Sequence, residues 1–114
     1  MSHTEALALI HAEAGESGLV VDARMGRDID PARVIRLVSA VRTVADSLRG
    51  EGSLDRELAA SLHILGSRVF REAEGWASHC SQRLPKAVFD SLISLEGAVE
   101  DLFFGISRGH NDTA

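Results

Sequence analysis

The sequence predicts an all-α protein, an antiparallel helical bundle of three long helices and one short N-terminal helix. Apolar residues recur at the three- and four-residue spacing of amphipathic helices over most of the chain. Capping residues and prolines mark helix starts, and no two strand-like segments are available to pair. Because the chain has 114 residues, 45% of them hydrophobic, we expect one domain, residues 1–114, with a real core.

The N-terminal helix is predicted from a capping box. Ser2 can accept a hydrogen bond from the backbone N–H of Glu5, and the Glu5 side chain can reach back. Leu7 and Ile10 then share a face, and Gly15 is a natural stop. A helix of about three turns is marginal alone, so we expect it to dock on the bundle.

Residues 15–30 are predicted to be an irregular linker. Gly15, Gly18 and Gly26 interrupt the periodicity. The run Leu19–Val21 is rich in β-branched residues and could form an extended arm or a weak strand. Since no partner strand is evident, we expect its apolar residues to pack onto the bundle.

The second and third helices have clear apolar stripes. Asp30 and Pro31 begin the second helix as cap and first residue, and Gly50 is expected to end it. The third helix is predicted from a cap at Ser53 to about Arg83, with a possible kink at Gly75. Its stripe comprises Leu54, Leu58, Leu62, Leu65, Val69, Trp76 and Cys80.

The fourth helix opens at Pro85 and is the most informative part of the chain. We expect it to form the core hairpin with the third helix, and the tail at 109–114 to fray. Its large apolar residues follow steps of four, three, four, three and four, which is the heptad spacing of a helix packed along its length. This seam comprises Val88, Leu92, Leu95, Val99, Leu102 and Ile106.

A second apolar set lies roughly 130° around the fourth helix from the seam at about 100° per residue. It consists of Phe89, Ile93 and Phe104, with Phe103 filling part of the gap. Two interpretations follow. The set packs against a second internal neighbour, such as the first helix or the Leu19–Val21 arm, or it forms a protein-binding surface together with Phe70 of the third helix.

Composition excludes several classes of function. The net charge is -5 and the pI about 5.4, which argues against nucleic acid or an anionic membrane as partner. The single cysteine, Cys80, cannot form an intramolecular disulfide. Because the N-terminus has no basic leader and no apolar run reaches the ~18 residues of a membrane span, we expect a cytoplasmic protein.

The residues that could carry chemistry lack the required spacing. Cys80 and His79 are adjacent, and adjacent helical residues do not face each other. The histidines form no His-x-x-x-His or Glu-x-x-His pattern, so no metal site is predicted. Glu96, Glu100 and Asp101 are interpreted as a solvated edge and not as paired catalytic carboxylates. We therefore predict a non-enzymatic protein with no cofactor.

His63 carries one alternative, a role in histidine phosphotransfer. It lies mid-helix off the apolar stripe, and phosphotransfer domains are four-helix bundles of this size. Their motif places lysine and glycine three and four positions after histidine. Here leucine and glycine, Leu65 and Gly66, fall two and three positions after it, and the lysine that would stabilise the phosphate is missing.

The layout of the chain resembles that of the helical anti-activators that bind LuxR-type quorum-sensing regulators in bacteria. The features behind the resemblance are Asp30-Pro31, the Leu58–Val69 stripe and the Val88–Ile106 seam. The resemblance implies a homodimer or small oligomer. It also implies binding to a transcriptional regulator through apolar contacts that block the regulator's own dimerisation.

From the residues themselves we predict a protein-binding module. Its anchors would be Phe89, Ile93, Phe103 and Phe104 on the fourth helix, with Phe70 beside them. The mechanism would be occupancy of an apolar surface that the partner needs for its own assembly. A self-assembling structural subunit is the remaining alternative, and it differs only in the identity of the partner.

Overall fold

The computed structural model describes residues 1–49, 51 and 53–112, with side chains up to residue 106. This part of the chain contains helices and no strand, so the predicted all-α class is confirmed. The helices are α1 (His3–Ala14), α2 (Leu19–Arg24), α3 (Pro31–Ser47), α4 (Arg56–Ser67), α5 (Val69–His79) and α6 (Lys86–Asp112).

Helix starts follow the capping residues. The Ser2 hydroxyl accepts the Glu5 N–H at 3.1 Å, and the Asp30 carboxylate accepts the Ala32 N–H at 2.9 Å with Pro31 as first residue. The third predicted helix starts later than expected. Asp55, and not Ser53, is its cap, because the Asp55 carboxylate accepts the N–H of Leu58 at 3.0 Å.

Residues 15–30 are not an irregular linker throughout, because they contain α2. Leu19, Val20 and Ala23 lie on one face of this helix and are buried, so the expected packing onto the bundle occurs in helical form. A helix of six residues is too short to show a periodic pattern. It ends at Arg24 with Met25 as its C-cap, and the next residue, Gly26, has a φ of 71°, the left-handed conformation that glycine adopts without strain.

The third predicted helix is divided into α4 and α5 at Arg68, not kinked at Gly75. Beyond this break the buried positions are Ala73 and Ala77. Trp76 and Cys80, which the stripe predicted to be buried, are exposed. The stripe fails here because α5 packs mainly on α2, whereas α4 packs on α1 and α6.

The bundle consists of two antiparallel pairs. In the first, the ends of α1 meet the opposite ends of α3, as the contact of His3 with Ser47 shows. In the second, α4 and α5 run against α6, with Gly66 facing Val99 and Phe70 facing Phe89. The most extensive packing of α6 is on α3, so the expected hairpin is present but is not its main contact.

The predicted seam of α6 is confirmed. Val88, Leu92, Leu95, Val99 and Leu102 are buried, and Ile106 is half-buried. The helix continues through the predicted frayed tail to Asp112, while residues 113 and 114, like Gly50, lie outside the described residues. No helix in the described part is both long and apolar enough to cross a membrane.

Candidate protein-binding face

The outer face of α6 lies roughly 130° around the helix from its buried seam, at about 100° per residue. At about 100° per residue its large apolar side chains fall within an arc of ~100°. Their exposed fractions run from 38% to 62%, whereas the seam residues Leu92, Leu95 and Leu102 are each 1% exposed. The apolar members are Phe89, Ile93, Phe103 and Phe104.

The packing explains why this face is uncovered. The seam of α6 lies against α3 and α4, whereas α1 packs on α3 and α4 and α2 packs mainly on α5. Neither α1 nor the Leu19–Val21 segment contacts α6, so the internal neighbours that the sequence suggested do not cover the face. All four predicted anchors on α6 are therefore accessible in the folded chain.

Phe70 extends the outer face onto α5. Its ring meets that of Phe89 edge-on, with centroids 5.4 Å apart and planes at 71°. Such pairs contribute about 0.5–1.5 kcal/mol beyond the burial of their area. Phe70 is half-buried against the core, so it holds Phe89 in place at the N-terminal end of the face.

Two carboxylates occupy the middle of the outer face. Glu96 and Glu100 lie one turn apart between Ile93 and Phe103, which are separated by about 15 Å along the helix at ~1.5 Å per residue. Glu96 is half-buried, and this burial, together with the charge of Glu100, raises its pKa. Neither carboxylate forms an ion pair with a described residue. Glu96 and Glu100, which the sequence assigned to a solvated edge, therefore belong to the outer face of α6.

The chemistry of the face follows from its own residues. No family model, curated protein or solved structure matches the chain. The phenylalanines and the isoleucine offer apolar area for burial, and the two glutamates accept hydrogen bonds and attract cations. These side chains suit the recognition of another surface.

His63 lies on α4 with its side chain exposed. Its backbone carbonyl accepts a hydrogen bond from the Ser67 hydroxyl at 2.6 Å. The nearby Gly66 has a packing role, because a Cβ there would lie 2.8 Å from a methyl group of Val99. The glycine that suggested room for a phosphoryl group therefore allows α4 and α6 to approach each other.

A network of charged side chains joins α1, α2 and α3, and the sequence reasoning missed it. Arg33 donates to both oxygens of Glu13, at 2.7 and 2.6 Å, and to Asp22 at 2.6 Å. Arg27 donates to the second oxygen of Asp22 at 2.8 Å. No local pattern in the sequence pairs Arg33 with residues 11 and 20 positions away.

A concave region lies at the other end of the molecule from Phe104. The cleft, of about 400 Å³, is bordered by the indole of Trp76, the rim residues Asp28 and Arg83, and the backbone of Gly26. A Cβ on Gly26 would lie 2.0 Å from the Trp76 ring, so the indole packs directly on the glycine. None of the residues predicted to bind a protein partner lines this cleft.

The described residues contain no cluster that would suit a metal ion, defined as three or more histidine, cysteine, aspartate or glutamate side chains together. Cys80 is a free, exposed thiol at the end of α5. His11 and Ser61 join α1 to α4 through a 2.9 Å hydrogen bond. The His11 and Ser61 side chains thus connect two helices, and Cys80 forms no disulfide.

Proposed function

We propose that the protein is a non-enzymatic binding module that uses the outer face of α6 to cover an apolar surface of a protein partner. The observation that supports this is the exposure of Phe89, Ile93, Phe103 and Phe104 on a helix whose seam is already buried. The apolar residues on this side are therefore not needed for the packing of the chain itself. A contiguous apolar surface of this kind is typical of interaction sites.

The energetics favour a few aromatic anchors. Complete burial of a phenylalanine side chain contributes about 1.5–3 kcal/mol, and truncation of a central aromatic anchor commonly costs ~2 kcal/mol or more. Phe89 is held by Phe70 before a partner arrives, so its ordering costs little on binding. We expect Phe89 and Phe104 to carry much of the affinity.

The mechanism we propose is occupancy. Covering a surface that the partner needs for its own dimerisation would inactivate it without any chemical step. The layout-level resemblance makes a LuxR-type transcriptional regulator in the bacterial cytoplasm the first partner to test. A homodimer or small oligomer of the present chain belongs to the same proposal, since the resemblance implies one.

The test compares capture of partner proteins by tagged wild type and by the double variant Phe89→Asp/Phe104→Asp. Ile35→Asp is the matched control, because Ile35 is a 49% exposed apolar residue on α3 and not part of the outer face of α6. We expect one stoichiometric partner with the wild type and the control, and none with the double variant. Equal capture by all three chains, each shown to be helical by circular dichroism, would contradict the proposal.

Phosphotransfer through His63 is the second hypothesis, and the exposure of that side chain is the observation that favours it. Incubation with a phosphorylated receiver domain tests it directly. Transfer of label to the wild type and not to His63→Gln would support it, whereas no label on the wild type ends it. A purely self-assembling subunit would instead recover only copies of the chain itself.

A further inference from the structure

We infer that the occupant of the outer face is an amphipathic helix that carries arginine or lysine between two apolar anchors, and not α6 of a second copy. This inference rests on the proposed function and specifies the chemistry of the partner. It follows from the position of Glu96 and Glu100 within an otherwise apolar surface.

The carboxylates constrain the occupant because they lose water when the face is covered. Burial of an unpaired carboxylate is strongly unfavourable, and an apolar surface provides nothing to replace the lost hydration. Glu96 already shows the effect of partial burial in its raised pKa, before any partner is present. A tightly bound surface therefore has to supply hydrogen-bond donors to these two residues, and a cationic donor forms the stronger bonds.

Among the residues whose side chains are described, no lysine or arginine forms an ion pair with Glu96 or Glu100. Lys86, on the same helix, is paired with Asp90 at 2.6 Å. Asp101, next to Glu100 on the same helix, carries a further carboxylate. Arg33 is committed to Glu13 and Asp22 on the opposite side of α3. The net charge of the chain is -5, and the two glutamates of the face carry the same sign, which favours a basic partner.

Pairing of the face with a second copy is disfavoured by the same charges. Antiparallel pairing that brings the phenylalanine-rich ends together is centred near residues 96 and 97. It would place Glu96 and Glu100 of one copy against those of the other, four carboxylates in one desolvated region. Parallel pairing would place Glu96 of one copy beside Glu96 of the other. Both arrangements join like charges.

The spacing of the face specifies the partner further. Ile93 and Phe103 lie about 15 Å apart along α6 at ~1.5 Å per residue, so a partner helix would need apolar residues about ten positions apart. A guanidinium between them can reach both glutamates, whose side chains are neighbours at a four-residue spacing. Arginine suits this position better than lysine, because its planar group bridges carboxylates and packs on phenylalanine rings.

The first experiment uses two labelled synthetic peptides of about 20 residues with strong helix propensity. Both peptides carry two leucine anchors ten positions apart. They differ only in the residue midway between the anchors, which is arginine in one peptide and glutamate in the other. Fluorescence anisotropy should show binding of the arginine peptide at least about tenfold tighter than the glutamate peptide. Glu96→Gln/Glu100→Gln should remove this preference, and Phe89→Asp/Phe104→Asp should remove binding of both peptides.

The outcomes separate the inference from the proposed function. If both peptides bind equally and both are lost with Phe89→Asp/Phe104→Asp, the face is a binding surface but the charge requirement is wrong. If neither peptide binds the wild-type chain, both proposals fail. Ile35→Asp serves as the control for the changes in charge and should bind like the wild type.

The second experiment measures self-association by sedimentation. We expect the wild type to show no association through the outer face at neutral pH, and Glu96→Gln/Glu100→Gln to associate more strongly. Adding Phe104→Asp to this variant should reverse the association. A wild-type dimer that dissociates with Phe89→Asp/Phe104→Asp would overturn the inference, while the proposed use of the face for protein binding would stand.

Discussion

Two regions of the molecule hold carboxylates in opposite ways. At the junction of α1, α2 and α3, Arg33 donates three hydrogen bonds to Glu13 and Asp22, and Glu13 is only 7% exposed. On the outer face of α6, Glu96 is half-buried and forms no ion pair with a described residue. In the first region the carboxylates are paired with arginines of the same chain. In the second region we propose that a partner surface supplies the positive charge.

The direction of the pKa shifts expresses the same difference. The hydrogen bond from Arg33, followed by that from Arg27, lowers the pKa of Asp22 below its usual range. Burial, followed by the charge of Glu100, raises the pKa of Glu96. Folding therefore favours the charged form of Asp22 and disfavours that of Glu96. Partner-binding surfaces are expected to contain groups of the second kind.

Of the changes to the two carboxylate regions, the largest effect is expected from Arg33→Ala. The substitution leaves the Glu13 carboxylate buried without its cation. It also removes the hydrogen bonds that connect α3 to α1 and α2. Because the Arg33 side chain is 32% exposed, we expect a loss of about 2–3 kcal/mol in the free energy of unfolding, below the full cost of breaking a buried pair. Urea denaturation measures it.

Arg36→Ala is the matched control for this change. Arg36 lies one turn along α3, is exposed and forms no ion pair with a described residue. We expect its free energy of unfolding to stay within about 0.5 kcal/mol of the wild type. If the two alanine variants were equally stable, the network at the junction would not contribute to folding.

Gly26→Ala tests a close contact beside the same junction. The substitution introduces a Cβ at a φ of 71°, where it would lie 2.0 Å from the Trp76 ring. We expect a loss of about 2 kcal/mol and a shift in the emission of the single tryptophan. Gly75→Ala, where a Cβ meets nothing within 4 Å, should stabilise the chain by up to about 1 kcal/mol.

The pH dependence should follow the lowered pKa of Asp22. Its contribution is complete above the unfolded-state pKa, near pH ~4, and is lost as the pH falls through the lower folded-state pKa. Urea midpoints measured from about pH 5 to pH 3 should decrease. This decrease should be smaller in Arg33→Ala than in Arg36→Ala, and an identical decrease in both variants would show that Asp22 is not responsible.

Glu96→Gln should change stability in the opposite sense. Because the folded-state pKa of Glu96 is raised, the stability associated with its proton is present below the unfolded-state pKa and is lost as the pH rises through the folded-state value. The amide removes this loss, so the variant should be more stable than the wild type at neutral pH and not at pH ~4. A lower stability at neutral pH would contradict this reasoning.

The smallest effect on folding is expected from Ile93→Gln. Ile93 is 43% exposed, whereas its neighbour Leu92 is 1% exposed. We expect Ile93→Gln to change the free energy of unfolding by less than about 0.5 kcal/mol, while Leu92→Ala loses about 2–5 kcal/mol. A large loss with Ile93→Gln would mean that the outer face belongs to the core.

Local signals account for much of the fold. The capping residues Ser2 and Asp30 begin their helices in the structure as the sequence predicted. The heptad spacing predicted which side of the last helix is buried and which apolar residues are left over. These features could be read from the sequence because caps and helical periodicity involve residues within a few positions of one another.

The sequence by itself therefore determined the all-helical class, the main helix starts and the two sides of α6. Only the tertiary structure decided that Leu19–Arg24 is a helix, that Trp76 is exposed, and that Arg33 joins Glu13 and Asp22. It also decided that α1 and α2 leave the outer face of α6 uncovered. The physical reason is that these outcomes depend on which distant helices pack together, and helical periodicity describes one helix without naming its neighbours.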